Sequence, residues 1–498
     1  MTFLELVEVI VWDYMWGTPL IVIILATGLF LTIKSGFFQF RFLGYALKEA
    51  MKKILKQDDD SGAGVVSPFE AMSVAIGTTV GVGNIGGVAT AIAFGGPGAV
   101  FWMWVAGILG QVIKMAEITL AVHYRSKNDD GTAYGGPNYY MKKGIGEEKN
   151  KKGLYKFLSL LFAFGFLVGF FINIQTYTVS EAIGNTFDIS MVTVGVIFTI
   201  MLYIMIAGGL PSLGKIASVL VPFMCLFYIL GGLFIILKNI GELPHAFGLI
   251  FGSAFSGTAA MGGFAGAAFS QAIKVGMARS VFSNEAGWGT SPMVHASSKT
   301  DHPMKQGILG VFEVFVDTII ICSITALIII VTGQWSSGLD GATLTLSAFE
   351  VGLGRFGRII LAVGTFLFGV TTSSGLYAQM EVIVRYLIGD TPKKNLILNL
   401  YKWLYPLPSL ALVLIAIYYE YPGTLVWVFS DASTALPIFA NIVALFILAP
   451  RFVELLNDYK ARYMGIGKVD PEFKVFYEDG TKNLDQDLTN EKGFTIQS

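Results

Sequence analysis

Residues 77–87 read Gly77-Thr78-Thr79-Val80-Gly81-Val82-Gly83-Asn84-Ile85-Gly86-Gly87, and they lie inside one of the most apolar stretches of the chain. Five glycines in eleven residues each weaken a helix by about 1 kcal/mol relative to alanine. Thr78, Thr79 and Asn84 add groups that need hydrogen-bond partners. Irregular backbone at membrane depth is tolerated only where it is buried in protein or lines a cavity. A glycine-broken helix at mid-membrane is the sequence mark of a transporter's ligand and ion site. Close packing of helices through small residues is the simpler alternative. It accounts for the glycines but not for Asn84 and the two threonines.

The surroundings support a bilayer as solvent. The chain has 498 residues, 54% hydrophobic and 14% charged, with mean hydropathy +0.64, against about 25% charged in an ordinary soluble domain. A net charge of -1 and the lack of a basic patch interleaved with aromatics give no reason to invoke nucleic acid. Cys225 and Cys322 sit in apolar runs and read as small core hydrophobes, not a disulfide framework. The N-terminus lacks a basic segment and a small-residue cleavage site, so the first apolar run reads as a retained helix.

Apolar runs predict eleven transmembrane helices, over 17–33, 68–95, 97–123, 155–184, 191–209, 212–237, 252–275, 306–332, 356–388, 400–420 and 424–448. Ser67-Pro68-Phe69-Glu70 combines a capping box with proline at the first helical position and starts the second. With loop 34–67 inside, 30 of the 34 Lys and Arg fall in inside segments. That places the N-terminus outside and the C-terminal tail in the cytoplasm.

The fold class expected is an all-α integral membrane protein with one extra N-terminal helix and two five-helix halves of opposite topology. The boundaries are 1–66 for the extra helix and its connector, 67–240 and 241–450 for the halves, and 451–498 for the tail. The second half opens on a second predicted break, Gly257-Thr258-Ala259-Ala260-Met261-Gly262-Gly263-Phe264-Ala265-Gly266, as an inverted repeat requires. Free amides at half-helix N-termini attract a carboxylate. Free carbonyls at half-helix C-termini attract a cation such as Na⁺. Neither 77–87 nor 257–266 contains Asp, Glu, Lys or Arg.

GVGNIGGVATAIAFGGPGAVFWMWVAGILG (81–110) and FSNEAGWGTSPMVHASSKTDHP (282–303) resemble the signature segments of the alanine or glycine:cation symporter family. The topology fits along nearly the whole chain apart from the tail. The resemblance implies the leucine-transporter fold of amino acid–polyamine–organocation carriers, with Na⁺-coupled uptake of a small neutral amino acid across the cell membrane. By that match Thr78, Thr79, Gly81, Val82, Gly83 and Asn84 face substrate, with Gly263 and Phe264 at the second break and Phe171 and Gln175 on the third core helix. The carbonyls of Gly77, Val80 and Gly369 and the hydroxyls of Thr372 and Ser373 form the Na⁺ site, in keeping with the oxygen ligands hard cations take. Asn84 alternatively ligates an ion.

Ionisable residues within spans are functional or paired. Lys114 and Glu117, three apart, are expected to pair. Glu313 and Asp317 share a face and bind a cation or hold the 276–305 loop, which reads as an inner gate. Asp431 is a candidate proton or gating site. No cofactor is expected, and the partners are the amino acid, Na⁺ and the bilayer, with the monomer as the simplest unit. Two inverted halves argue against a symmetric channel pore. The scattered His123, His245, His295 and His302 form no nucleophile–base pair, and no P-loop is present. Proton coupling through Asp431, Asp317 or Glu117 is the alternative within the carrier class.

Overall fold

The structure, a computed structural model, describes residues 6–7, 9–55, 64–127, 132–256, 265–389, 391–421 and 423–477, with backbone alone at 256, 265–270 and 423–425. Helices dominate it. The first three are α1 (Thr18–Lys34), α2 (Leu43–Leu55) and α3 (Pro68–Thr79). Next come α4 (Val88–Gly95), α5 (Gly98–His123), α6 (Lys152–Phe171), α7 (Gln175–Phe187), α8 (Met191–Ile206) and α9 (Gly209–Lys238). Then follow α10 (Leu243–Ser256), α11 (Ala265–Asn284), α12 (Ser291–His295) and α13, continuous through a π-helical turn over Pro303–Val331. The last are α14 (Gly341–Ile388), α15 (Lys394–Leu404), α16 (Leu407–Tyr418) and α17 (Gly423–Met464). A two-residue hairpin, Ser126–Lys127 against Ala133–Tyr134, is antiparallel.

Among the described residues eight helices are long and apolar enough to cross a membrane, nine with the bent α3–α4 pair as one span. The predicted eleven are therefore not all reached. α8 is a shorter apolar helix of 16 residues. The predicted span 252–275 divides between α10 and α11, with 257–264 outside the described residues. α14 is two helices meeting at Gly354, where φ is 68° and ψ -166°. The expected tail boundary at 450 is passed by α17, which runs on to Met464.

The bilayer face is legible on α9, where Val219, Phe223, Leu226, Leu230, Phe234 and Leu237 are exposed at three- and four-residue steps. α5 is the opposite case, buried at every residue from Gly110 to His123. α13 approaches it so closely that a methyl at Gly307 would overlap the Thr119 hydroxyl, the close approach small residues give membrane helices.

Candidate functional site

α3 starts as its sequence dictates. The Glu70 amide donates to Ser67 Oγ at 3.2 Å and the Ser67 amide to Glu70 Oε2 at 2.8 Å. The helix stops at Val80, whose ψ of 96° leaves the helical region. After Gly81 and Val82 the chain resumes as a π-helical turn, Gly83–Gly87, and continues as α4, bent by 40° from α3. Asn84 sews this break together. Its Oδ1 accepts the Gly81 amide at 2.7 Å, and its Nδ2 donates to Asp317 Oδ1 of α13 at 2.6 Å. The Gly81 amide and Asn84 are thus hydrogen-bonded within the protein.

The second break among the described residues is at 285–290. α11 ends at Asn284, Glu285 has φ 58°, Gly287 and Gly289 both have φ 85°, and α12 begins at Ser291. Positive φ at Glu285 is uncommon for a residue with a side chain. Here its carboxylate is held by Thr290 at 2.5 Å and by Thr78 of α3 at 3.3 Å. The two breaks meet: a Cβ on Gly83 would lie 3.1 Å from Ser283 Cα. The expected second break at 257–266, with Gly263 and Phe264 as site residues, lies in 257–264 and 265–266, of whose side chains nothing is described. The segment read as an inner-gate loop is a broken helix. The signal was present as Gly287-Trp288-Gly289, the counterpart of Gly81-Val82-Gly83.

Beside the second break lies a small cavity of about 40 Å³, lined among others by Gly169, Phe170, Gln175, Phe282, Trp288 and Tyr405. That is room for roughly three water-sized groups. Phe282 and Trp288 stack with centroids 5.9 Å apart, and Phe166 closes on Trp288 at 5.9 Å. Gln175 Oε1 and Trp288 Nε1 are buried with no hydrogen-bond partner among the described residues. One is an acceptor and one a donor. Gln175 lines this cavity. Phe171 does not: it is 62% exposed, and Phe170 takes its place. Thr78, Thr79, Val82 and Gly83 are buried but do not line this cavity. The Thr78 hydroxyl goes to Ala75 O at 2.7 Å and to Glu285, and the Thr79 hydroxyl returns to Ile76 O at 3.2 Å.

The expected ion residues do converge in part. Thr372 Oγ1 donates to Gly77 O at 3.0 Å, joining α14 to the frayed end of α3. A methyl at Gly81 would overlap Thr372 Oγ1, so glycine there is a steric requirement. Ser373 Oγ is buried with no partner among the described residues. Val80 is buried at the helix end. Gly369 packs against Val179 and Phe198. Tyr405, from the cavity wall, donates to Ser373 O at 2.7 Å and links the two places. Oxygens of this type suit a hard cation.

Charges surround the site in layers. Lys114 does not pair with Glu117. It donates to Asn284 O, the free C-terminal carbonyl of α11, at 2.7 Å and lies 3.8 Å from Glu313, where a cation complements a helix end. Glu117 instead accepts from Asn441 at 2.9 Å, and Asn441 also donates to Gly287 O. Glu313 accepts from His295 at 2.6 Å and so holds α12. Asp317 accepts from Ser283, Thr318 and Asn84. Asp431 forms a buried bidentate pair with Arg279, at 2.6 and 2.8 Å. On the far side Val65 N donates to Ser297 O at 2.7 Å and Lys299 N to Val66 O at 2.9 Å, tying the approach to α3 to the exit of α12.

A multi-pass helical bundle with two Gly-x-Gly breaks face to face and a small aromatic cavity beside them is a secondary carrier, not an enzyme. The chain belongs to the sodium:alanine symporter family, whose sequence model matches residues 1–474. It is 38% identical over 457 residues to the sodium/alanine symporter AgcS of Methanococcus maripaludis, covering 90% of this chain and 95% of that one. It is 35% identical over 472 residues to the "Probable sodium/glutamine symporter GlnT" of Bacillus subtilis, covering 95% and 93%. The amino-acid carrier protein AlsT of Bacillus subtilis is 33% identical over 479 residues, with 95% of each chain covered. Among solved structures, MhsT in complex with L-phenylalanine superposes with TM-score 0.51 at 14% identity, over 79% of this chain and 98% of that one. The fold is therefore of the leucine-transporter type.

Proposed function

We propose that the protein couples Na⁺ entry to uptake of a small neutral amino acid, alanine or glycine, by alternating access. The observation that carries this is the junction of Thr372 and Gly77 with the unpartnered Ser373 Oγ, one helical turn from a cavity holding an unpartnered acceptor and donor. In this reading Na⁺ takes oxygens of Gly77, Val80, Thr372 and Ser373. Gln175 Oε1 accepts from the substrate ammonium and Trp288 Nε1 donates to its carboxylate. The tightness of the cavity favours a side chain no larger than a methyl. The halves are 67–240 and 241–450, with the second break at 285–290, the N-terminus outside and the C-terminus cytoplasmic. The monomer is the transporting unit.

A second reading is proton coupling through Asp317. Its hydrogen-bond partners are all neutral, and one of them, Asn84, holds the first break.

Binding of radiolabelled alanine to purified protein, in Na⁺ and then in K⁺ or choline at fixed pH, separates these. Binding only with Na⁺ supports symport. Na⁺-independent binding that follows pH moves the assignment to Asp317. Absence of alanine and glycine binding under both conditions removes the substrate assignment.

A further inference from the structure

The N-terminal helix lies outside the two proposed halves, and no step above uses it. Yet the residues that lead into it are packed on elements that adjoin the cavity. Trp16 is fully buried, and its indole Nε1 donates to the Asp431 carbonyl at 3.0 Å. Three residues earlier, Asp13 pairs with Lys274 of α11 at 3.1 Å. Trp12 places its ring 5.9 Å from the Arg279 guanidinium, which also lies over Trp427 at 4.8 Å. Three residues, Trp12, Asp13 and Trp16, therefore grip both elements that carry the Arg279–Asp431 pair.

That pair adjoins the cavity. Ser430, next to Asp431, and Phe282, one turn beyond Arg279, both line it. A Cβ on Gly86, past the first break, would lie 3.0 Å from Trp427, so the same cluster also touches the turn that leads into α4. Opening the cavity on this side requires α11 to part from α17 and the bidentate pair to separate. Because the segment holds α17 through Trp16 and α11 through Trp12 and Asp13, that separation also breaks either the indole hydrogen bond to Asp431 or the contacts to Arg279 and Lys274.

We infer that Trp16 is a positioning residue for transport: the N-terminal segment latches Asp431 against Arg279, and its release accompanies opening of the cavity toward the face that bears the N-terminus. The inference rests on the carrier reading but not on which face of the membrane that is.

The test is Ser430→Cys labelling by a membrane-impermeant thiol reagent in right-side-out and inside-out vesicles, without Na⁺. Protein lacking this cysteine supplies the background, since Cys225 and Cys322 are buried. Protease access to an N-terminal tag in the same vesicles reports the face of the N-terminus. Trp16→Phe keeps an aromatic side chain of smaller size and removes the indole donor. Its loss is expected to speed labelling roughly two- to tenfold from the tag-bearing face, with no change from the other. Unchanged labelling overturns the latch, as does an equal rise from both faces, which a loosened fold gives. Asp13→Asn, at an exposed ion pair, is expected to shift labelling in the same direction by less, and keeps the question answerable if Trp16→Phe does not fold. A tag found on the cytoplasmic face with labelling raised from that face corrects the orientation and leaves the latch standing.

Discussion

Thr372 shows how much rests on one hydroxyl. It bonds to Gly77 O across two helices and fills the space that glycine at 81 leaves open. Thr372→Val keeps the shape and removes the oxygen. A hydrogen bond or ligand contact to a charged group is worth about 1.5–3 kcal/mol, so the Na⁺ concentration for half-maximal alanine binding should rise about tenfold or more. An unshifted Na⁺ titration takes Thr372 out of the ion site. The cavity wall allows a paired comparison. Gln175→Leu deletes the buried unpartnered acceptor and should weaken alanine binding by about tenfold or more. Phe171→Ala, at a residue that faces outward, should leave affinity unchanged. Equal losses in both would mean that the cavity beside Trp288 is not where the amino acid sits.

The elements around the site are broken on purpose, and each break is stitched by a side chain. Asn84 spans the first, accepting from Gly81 N and donating to Asp317. Asn84→Ala strands a buried amide and a carboxylate oxygen, at about 1–3 kcal/mol apiece, so both thermal stability and Na⁺-dependent binding should fall. Normal stability with lost binding would assign Asn84 to the ligand instead. α13 begins with an unusual cap: His302 Nδ1 accepts from Met304 N at 3.1 Å, and its Nε2 faces Asp458 Oδ2 at 3.1 Å. With Nδ1 accepting, Nε2 carries the proton and donates to Asp458, which is the neutral ring. Burial holds His302 below its ordinary value, while Asp458 pulls the other way. The unfolded chain therefore takes up the proton first. Stability is fully present above about pH 6.5 and is lost as pH falls from there toward the folded value. Thermal unfolding between pH 8 and 5 should show this slope, and His302→Gln should flatten it; parallel curves would sink the assignment.

For the whole molecule, two sets of contacts tie together the elements on either side of the breaks. Arg279–Asp431 joins α11 to α17, and the pairing of 65–66 with 297–299 joins the approach to α3 to the exit of α12. A carrier of this form couples its ligands through the same helices: Gly77 and Thr78 stand side by side, one on the ion junction and the other on Glu285 of the second break. If binding is linked, Na⁺ must raise alanine affinity by the same factor as alanine raises Na⁺ affinity. Two titrations on one preparation check it, and unequal factors would rule out simple equilibrium coupling at these sites.

Sequence alone determined the membrane class, the first break and the start of α3 at Ser67, and by resemblance it named Thr372 and Gly77 for one expected ion site. Each depends on local composition, on capping within one turn, or on the family motifs matched. It did not single out the break at 285–290, which packing against Gly83 and Thr78 reveals, while the break expected at 257–266 lies almost wholly outside the described residues. It joined Lys114 to Glu117 because helix spacing allows it. Tertiary structure gave Lys114 the carbonyl end of α11, which no spacing along α5 can reveal. Phe171 was the residue expected at the pocket; a rotation of about 100° per residue around the helix turns it outward and brings its neighbour Phe170 to the cavity. The partner of Asp431 came from Arg279, 152 residues away. Long-range pairs of this kind are fixed by how the bundle closes and leave no periodic trace in the chain that forms them.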